Sequence, residues 1–245
     1  PELGAPRFLA HGVLVSETRW PYVVLSYVPG EPIREVRDQL SEADLMAVAA
    51  DLGRRVRILH AMSSDAVPSL DPTLAGWQAY VDAQVPRVVR ELRRETSLPD
   101  RLLRQIPGFV AEVLATTQAS APDASLILVS GDITEDHVLL AEAEDGWRIS
   151  GLIDFADARI APRAYEWVAL WFGALDRDPQ ALATFMRAYD PDLVLDAAFA
   201  RRALAFTLLH EFGALIIRET LSPRRQRGIT DVGELQAALW PFGAS

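Results

Sequence analysis

Residues 125–157 most constrain the fold, because they interrupt a long series of helical patterns with three short apolar runs. The runs cover residues 125–129, 137–140 and 147–153, and a turn is predicted over 143–146. Short apolar runs bounded by turn residues predict β-strands. Asp132 follows the first run and Asp154 follows the third, so we expect two strands that each present an acid beside a short β-hairpin.

The first thirty residues predict a second, smaller β-structure. Two β-branched and aromatic runs, 8–15 and 22–28, are separated by a polar turn, and Pro29 with Gly30 ends the second run. An isolated two-stranded hairpin is only marginally stable, so we expect it to be the remnant of a larger sheet. Because Pro1 enters this pattern directly, we expect further N-terminal strands before it.

From Ser41 onward the apolar spacing is that of helices. Ser41 and Asp44 predict a capping box, and apolar residues then recur every three or four positions for about five turns. Further helical patterns cover 74–95, 99–117, 162–175, 179–189, 195–220 and 232–240. Pro107 is expected to kink or divide the second of these. The chain therefore predicts an α+β architecture of two lobes, a partial β-lobe over 1–30 and a mainly helical lobe over 31–245 that carries the hairpin.

Composition excludes several classes of protein. The 245 residues, 50% of them hydrophobic, suffice for one large domain or two small ones. No apolar run reaches the roughly 18–20 residues that span a bilayer, and no signal-peptide pattern opens the sequence, so we expect no membrane partner. The absence of cysteine excludes thiolate metal sites and suits a cytoplasmic protein. A net charge of −10 argues against nucleic acid as a partner and is compatible with a cationic ligand.

The strand insert carries a group of acids that can serve phosphoryl transfer. Its strand ends and loops hold Asp132, Asp136, Asp154 and Asp157. No arginine occurs between 121 and 147, so a divalent cation is the natural counter-charge, and Mg²⁺ prefers carboxylate oxygens and water. The remaining acid can accept a proton from an attacking hydroxyl. The alternative is a pair of acidic turns on a solvated hairpin edge, but the order of the acids and their apolar flanks favours a phosphoryl-transfer site.

These residues resemble the signature of the aminoglycoside phosphotransferases and their choline-kinase-like and protein-kinase-like relatives. That signature is His-Gly-Asp, four residues and Asn, and later a strand that ends in Ile-Asp-Phe or Ile-Asp-Trp. Here residues 130–132 are Ser-Gly-Asp, His137 stands in the place of the Asn, and Asp154 stands in the last motif. The resemblance covers nearly all of 1–175, including a hinge-like run over 22–30, and implies a two-lobed protein-kinase-like fold.

The resemblance also implies roles for individual residues. Asp132 is expected to be the catalytic base and Asp154 the main Mg²⁺ ligand. For His137 three possibilities are open: it ligates metal through one nitrogen, the second metal is absent, or activity is weak. The backbone expected to hold the adenine is that of Ser26, Tyr27 and Val28. The residues expected to bind substrate are Asp157, Glu166, Glu211 and Trp171, with a structural ion pair as the alternative for Glu166 and with Trp167 and His210 as possible stacking walls.

The function implied is an ATP- or GTP-dependent O-phosphotransferase. It is expected to act on a small cationic molecule, an aminoglycoside or aminocyclitol such as hygromycin. One alternative is a kinase of another metabolite, such as homoserine, choline, a sugar amine or a macrolide. The other is a weakly active, nucleotide-binding pseudokinase, motivated by Ser130, His137 and the absence of lysine. Because all 24 basic residues are arginine, the lysine that binds nucleotide in this family is expected upstream of Pro1.

Overall fold

The structure is a computed structural model that describes residues 2–63, 67, 69–118, 125–144 and 146–243. Pro1 and Asp145, which take part in the predicted N-terminal unit and the predicted 143–146 turn, lie outside the described residues. Small sheets and a mostly helical body make up the described chain, so the predicted α+β class is confirmed.

Three small antiparallel sheets contain the strands of the described chain. The strands are β1 Phe8–Val15, β2 Arg19–Leu25, β3 Glu31–Pro32, β4 Leu126–Val129, β5 Val138–Ala143, β6 Gly146–Leu152 and β7 Arg159–Pro162. β1 pairs with β2, and β5 lies between β3 and β6, which confirms both predicted hairpins. β4 pairs instead with β7, a strand that the sequence did not predict because a helix was expected from Pro162.

Helices build most of the remaining chain. They are α1 Ile33–Val36, α2 Glu42–His60, α3 Leu74–Glu95, α4 Asp100–Leu103, α5 Ile106–Gln118, α6 Glu166–Ala169, α7 Pro179–Tyr189, α8 Ala197–Leu209, α9 Gly213–Thr220, α10 Pro223–Gly228 and α11 Val232–Leu239. Pro107 lies in the first turn of α5, where its missing N–H costs no helical hydrogen bond. The single helix predicted over 195–220 is two helices, α8 and α9, separated at 210–212. None of the described helices is long and apolar enough to cross a membrane.

α2 anchors the helical body. It begins at the predicted capping box, in which the Ser41 hydroxyl accepts the Asp44 N–H and the Asp44 carboxylate accepts the Ser41 N–H. Its buried apolar face is Val48, Leu52, Val56 and Leu59. α2 packs closely on α7: a Cβ added to Gly53 would lie 2.4 Å from the Phe185 carbonyl oxygen. His60, at the end of α2, is buried in the interior.

The hinge-like segment crosses the β5–β6 hairpin. A Cβ on Gly151 of β6 would lie 2.6 Å from Val28, and a Cβ on Gly30 would lie 2.3 Å from the Ser150 hydroxyl. Gly30 also has a φ of +130°, which is accessible to glycine and strained for other residues. Val28, one of the predicted adenine-binding residues, therefore lies beside the hairpin that leads to Asp154.

Candidate active site

The two acids predicted from sequence come together at the ends of β4 and β6. The backbone N–H of Ile153 donates to the His137 carbonyl at 3.0 Å, which continues the β5–β6 pairing beyond the strands. The His137 ring then lies between the acids, with Nδ1 3.3 Å from Asp132 Oδ2 and Nε2 3.8 Å from Asp154 Oδ2. One imidazole ring spans the gap between the two carboxylates.

The turn that precedes Asp132 is held by buried side chains. Glu166 is fully buried and accepts the backbone N–H groups of Ser130 at 2.7 Å and Gly131 at 3.1 Å. The His210 ring contacts the Gly131 carbonyl oxygen through Nε2 at 2.9 Å. Gly131 has a φ of +74°, a conformation that glycine adopts without steric cost. The backbone that leads into Asp132 is thus fixed by hydrogen bonds on two sides.

Glu166 is itself supported from behind. His60 Nε2 lies 3.3 Å from Glu166 Oε2, and His60 Nδ1 lies 2.9 Å from the Tyr189 hydroxyl. The ends of α2 and α7 therefore meet at the carboxylate that holds the Asp132 turn. Substrate contact by Glu166 was expected from sequence, with a structural ion pair as the alternative. Its burial and its two backbone hydrogen bonds correspond to the structural alternative, since a fully buried carboxylate presents no surface to a substrate.

Asp132 is partly desolvated. Its side chain is 18% exposed. Burial raises its pKa from 3.8 to about 6, with the neighbouring carboxylates of Asp157, Asp154 and Glu211 adding to the rise and His137 opposing it. A carboxylate with a pKa near 6 can accept a proton at neutral pH and is a stronger base than an ordinary aspartate.

Asp154 has a different environment. Its side chain is 52% exposed, and its backbone has a φ of +57°, a left-handed conformation that is uncommon outside glycine, asparagine and aspartate. One carboxylate oxygen accepts the Ala156 N–H at 3.2 Å. The other is the oxygen nearest His137. An accessible carboxylate of this kind can bind a hydrated cation.

The hydrogen bonds of His137 determine which nitrogen is free. Nδ1 lies 2.7 Å from the backbone carbonyl of Asp132, and a carbonyl can only accept, so Nδ1 carries the hydrogen. In the neutral ring Nε2 then has a free lone pair on the side of Asp154. Histidines that bind metals commonly donate their other N–H to a backbone carbonyl in this way. The described residues contain no group of three or more candidate metal ligands, but Mg²⁺ often takes only one or two protein ligands and completes its shell with phosphates and water.

In the described part of the chain, Arg34 and Arg159 supply positive charge beside the acids. Arg34 of α1 forms ion pairs with Glu135 and with Asp136, the fourth acid of the insert. Arg159 pairs with Glu211 at 3.1 Å, and its guanidinium lies 4.8 Å from two tyrosine rings, those of Tyr80 and Tyr165. Arg34 was missed by the sequence analysis because it lies about a hundred positions before its partners.

Two of the predicted substrate residues lie next to Asp132. Asp157 and Glu211 interact with each other, and burial together with the Glu211 charge raises the pKa of Asp157. Both carboxylates also raise the pKa of Asp132, so they lie within electrostatic reach of it. Because Arg159 neutralises Glu211, the net charge of this group is smaller than the sequence suggests.

The predicted aromatic walls lie in the core instead. Trp171 is 1% exposed, stacks on Trp240 at 5.5 Å, and donates its indole N–H to the Leu239 carbonyl. Trp167 is 2% exposed and packs edge-on against Tyr189. The helical spacing of these aromatic residues reflects core packing, and neither offers a surface to a substrate.

The predicted adenine-binding segment is only partly free. The Ser26 N–H donates to the Arg7 carbonyl at 2.8 Å, and its hydroxyl accepts the Arg7 N–H at 2.8 Å. Those groups of Ser26 extend the pairing of the N-terminal hairpin. Tyr27 is 84% exposed, and Val28 packs on the β5–β6 hairpin. The role of this segment in nucleotide binding stays a prediction.

Comparison with known proteins adds a family. Residues 2–206 match the model of the phosphotransferase enzyme family. Among curated proteins, the lysine-specific demethylase JMJ21 of Arabidopsis thaliana is 22% identical over 224 residues, which cover 78% of this chain and 23% of that protein. The chain therefore spans about a quarter of the length of that relative.

Solved structures share the fold. The GDP complex of wild-type aminoglycoside 2′-phosphotransferase-IIIa has a TM-score of 0.60 at 15% identity and covers 88% of this chain and 74% of that chain. The aminoglycoside phosphotransferase APH(3″)-Id from Streptomyces rimosus, in complex with ADP and streptomycin, has a TM-score of 0.55 at 20% identity and covers 85% of this chain and 75% of that chain. These likenesses confirm the predicted kinase-like fold.

Proposed function

This chain belongs to the phosphotransferase enzyme family, and we propose that it transfers the γ-phosphoryl group of ATP or GTP to a hydroxyl of a small cationic acceptor, an aminoglycoside or aminocyclitol. Family and fold support a small-molecule phosphotransferase of the kinase type. The observation that carries the finer proposal is the placement of Asp132 and Asp154 on the two sides of His137. The complexes of similar structures with GDP, or with ADP and streptomycin, support a nucleotide donor and a cationic acceptor.

Asp132 acts as the base in this proposal. Its carboxylate accepts the proton of the acceptor hydroxyl as that oxygen attacks the γ-phosphorus, and the O–P bond to the leaving nucleoside diphosphate breaks in line. The hydrogen bonds to Ser130 and Gly131 keep the carboxylate in one position. Positioning of this kind supplies most of the catalysis in phosphoryl transfer, where covalent assistance by the protein is small.

Asp154 and His137 are the residues that hold Mg²⁺ in this proposal. The exposed Asp154 carboxylate supplies an oxygen ligand, and His137 supplies the lone pair of Nε2. When bound, Mg²⁺ neutralises the nucleotide phosphates and orients them. The Nδ1 bond to the Asp132 carbonyl fixes the orientation of the His137 ring, so one residue links the proposed metal ligand to the base.

The acceptor is proposed to bind beside Asp157 and Glu211. Their charges, together with that of Asp132, attract a cation to this group of carboxylates. The Arg159–Glu211 ion pair favours a second candidate, a kinase of a small metabolite with a single cationic group, such as choline or homoserine, because the pair lowers the negative charge available to a polycation.

An acceptor panel tests the proposal. The chain is incubated with Mg²⁺ and either ATP or GTP, and phosphorylated product is measured by mass spectrometry for aminoglycosides, aminocyclitols, choline, homoserine and macrolides. We expect product with at least one cationic hydroxylated acceptor and a fall in kcat of roughly 10²–10⁴-fold in Asp132→Asn. The exposed Glu17→Gln serves as the matched control and should retain activity.

Two results would contradict the proposal. Nucleotide binding without product for every acceptor would favour the pseudokinase alternative. A kcat of Asp132→Asn within about tenfold of the wild type would show that Asp132 is not the base.

A further inference from the structure

We propose that His210 is a positioning residue for Asp132, through its hydrogen bond to the carbonyl of Gly131. This inference rests on the proposed role of Asp132 as the base. His210 lies at the junction of α8 and α9, and its ring is 1% exposed. Nε2 lies 2.9 Å from the Gly131 oxygen, which belongs to the peptide bond that leads directly into Asp132.

The contacts of His210 select one tautomer. The Gly131 carbonyl can only accept, so Nε2 must carry the hydrogen. On the other side, Nδ1 accepts the backbone N–H of Phe212 at 3.3 Å, so Nδ1 carries none. Burial lowers the pKa of His210 to about 4, which keeps the ring neutral at physiological pH. The ring therefore presents a fixed donor to the carbonyl.

Packing holds the ring in place. It stacks on Tyr165 with centroids 4.7 Å apart. The backbone carbonyl of His210 accepts the side-chain amide of Gln84 at 3.2 Å, which ties the junction to α3. Both the side chain and the main chain of this residue are thus anchored to other elements, as a positioning role requires.

The conformational freedom of Gly131 explains why the backbone before Asp132 needs this hydrogen bond. A glycine at φ +74° has wide conformational freedom, so the peptide planes on its two sides can rotate relative to each other. Glu166 holds the N–H groups of Ser130 and Gly131, which lie before this joint. His210 holds the carbonyl after it. Without His210, the carbonyl next to this joint loses its donor. The direction of the Asp132 carboxylate then depends on the bonds that the Asp132 carbonyl accepts from the His137 ring and the Thr134 N–H, two and more residues further on.

Two substitutions separate the donor from the ring. His210→Phe keeps the stacked ring and removes both hydrogen bonds of the imidazole, whereas His210→Gln removes the ring and keeps an amide N–H at similar reach to the Gly131 carbonyl. We expect kcat to fall roughly 10- to 100-fold in the Phe variant and to stay within about fivefold of the wild type in the Gln variant. KM for the nucleotide should change by less than about twofold in both, because the hold acts on the base and not on nucleotide binding. Leu215→Ala, an exposed change on α9, is the matched control.

Amide hydrogen exchange measures how firmly the backbone around Asp132 is held, and it needs no acceptor substrate. Amides within 129–137 should exchange faster in His210→Phe than in the wild type, and the amides of α2 should not change. The proposal would be overturned if His210→Phe had the same exchange rates and the same kcat as the wild type. It would also be overturned if kcat fell equally in the Phe and Gln variants. If the wild type phosphorylates no acceptor, the proposed function fails, and the exchange comparison still decides whether His210 holds the turn.

Discussion

The two acidic turns of the site, 130–132 and 153–157, occupy similar positions in the sequence but differ in their exposure to solvent. Each follows a short strand and each presents an aspartate, yet Asp132 is 18% exposed and Asp154 is 52% exposed. Buried groups on other elements hold the first turn, whereas the hydrogen bond of the Asp154 carboxylate is local, to the N–H of Ala156. The difference in burial suits the first acid to accept a proton and the second to bind a hydrated cation.

The largest expected effect on stability comes from removing Glu166, the buried side chain that supports the first turn. Glu166→Ala should lower the free energy of unfolding by roughly 2–4 kcal/mol, because it leaves two buried N–H groups without an acceptor. The exposed Glu144→Ala is the matched control and should stay within about 0.5 kcal/mol of the wild type. Urea denaturation measures both variants. Equal stabilities would show that the turn does not depend on Glu166.

The charge of Asp132 itself should cost stability. Because its folded pKa is raised to about 6, the ionised carboxylate is disfavoured in the folded state, and the cost grows from pH 3.8 to about 6 and is complete above that. Asp132→Asn should therefore raise the free energy of unfolding above pH 6 by roughly 1–2 kcal/mol, allowing for solvent screening, and should give no such gain below about pH 4. Asp154→Asn should change stability by less than about 0.5 kcal/mol. A pH series of denaturation curves compares the two, and a stabilisation of Asp132→Asn that is the same at every pH would contradict the burial argument.

The same pKa predicts the pH dependence of activity. The base must be ionised, so kcat/KM for the acceptor, which reports the pKa of the protein before the acceptor binds, should fall on the acid side of about pH 6, by about tenfold for each pH unit. Initial rates would be measured at saturating nucleotide and at low acceptor concentration, from about pH 4.5 to about pH 8, which is roughly two units on either side of that pKa. An acid limb near pH 4 would mean that the active carboxylate is not desolvated as Asp132 is.

The smallest expected effect concerns His137, which lies between the two turns. An imidazole nitrogen suits Mn²⁺ better than Mg²⁺, so His137→Asn should raise the ratio of Mg²⁺-supported to Mn²⁺-supported kcat by roughly three- to tenfold. Parallel assays in each metal give the ratio, and the wild type is the reference. An unchanged ratio would indicate that Nε2 of His137 does not bind the metal.

Local signals in the sequence predicted most elements of the fold. The capping box at Ser41, the bounds of α3 and α7, and the β5–β6 hairpin each depend on residues close in sequence. The pairing of β4 with β7 was not predicted, because it joins segments separated by the hairpin. The end of α8 before His210 was also missed, since the apolar pattern continues through the junction.

The candidate site was predicted in part. Motif order was enough to place Asp132, His137 and Asp154 together. It could not distinguish a buried acid such as Glu166 from an acid that faces the acceptor, because both follow a strand or begin a helix in the same way. Burial is a property of the tertiary structure, and Trp167 and Trp171 were assigned to the pocket for the same reason.

The division of roles between the two acids is the central claim, and calorimetric titration of nucleotide into the wild type, Asp132→Asn and Asp154→Asn tests it most directly. Each protein is titrated with and without Mg²⁺. We expect Asp132→Asn to keep the Mg²⁺-dependent gain in nucleotide affinity and Asp154→Asn to lose it, by roughly tenfold or more. Loss of the Mg²⁺ dependence in Asp132→Asn with its retention in Asp154→Asn would contradict the account.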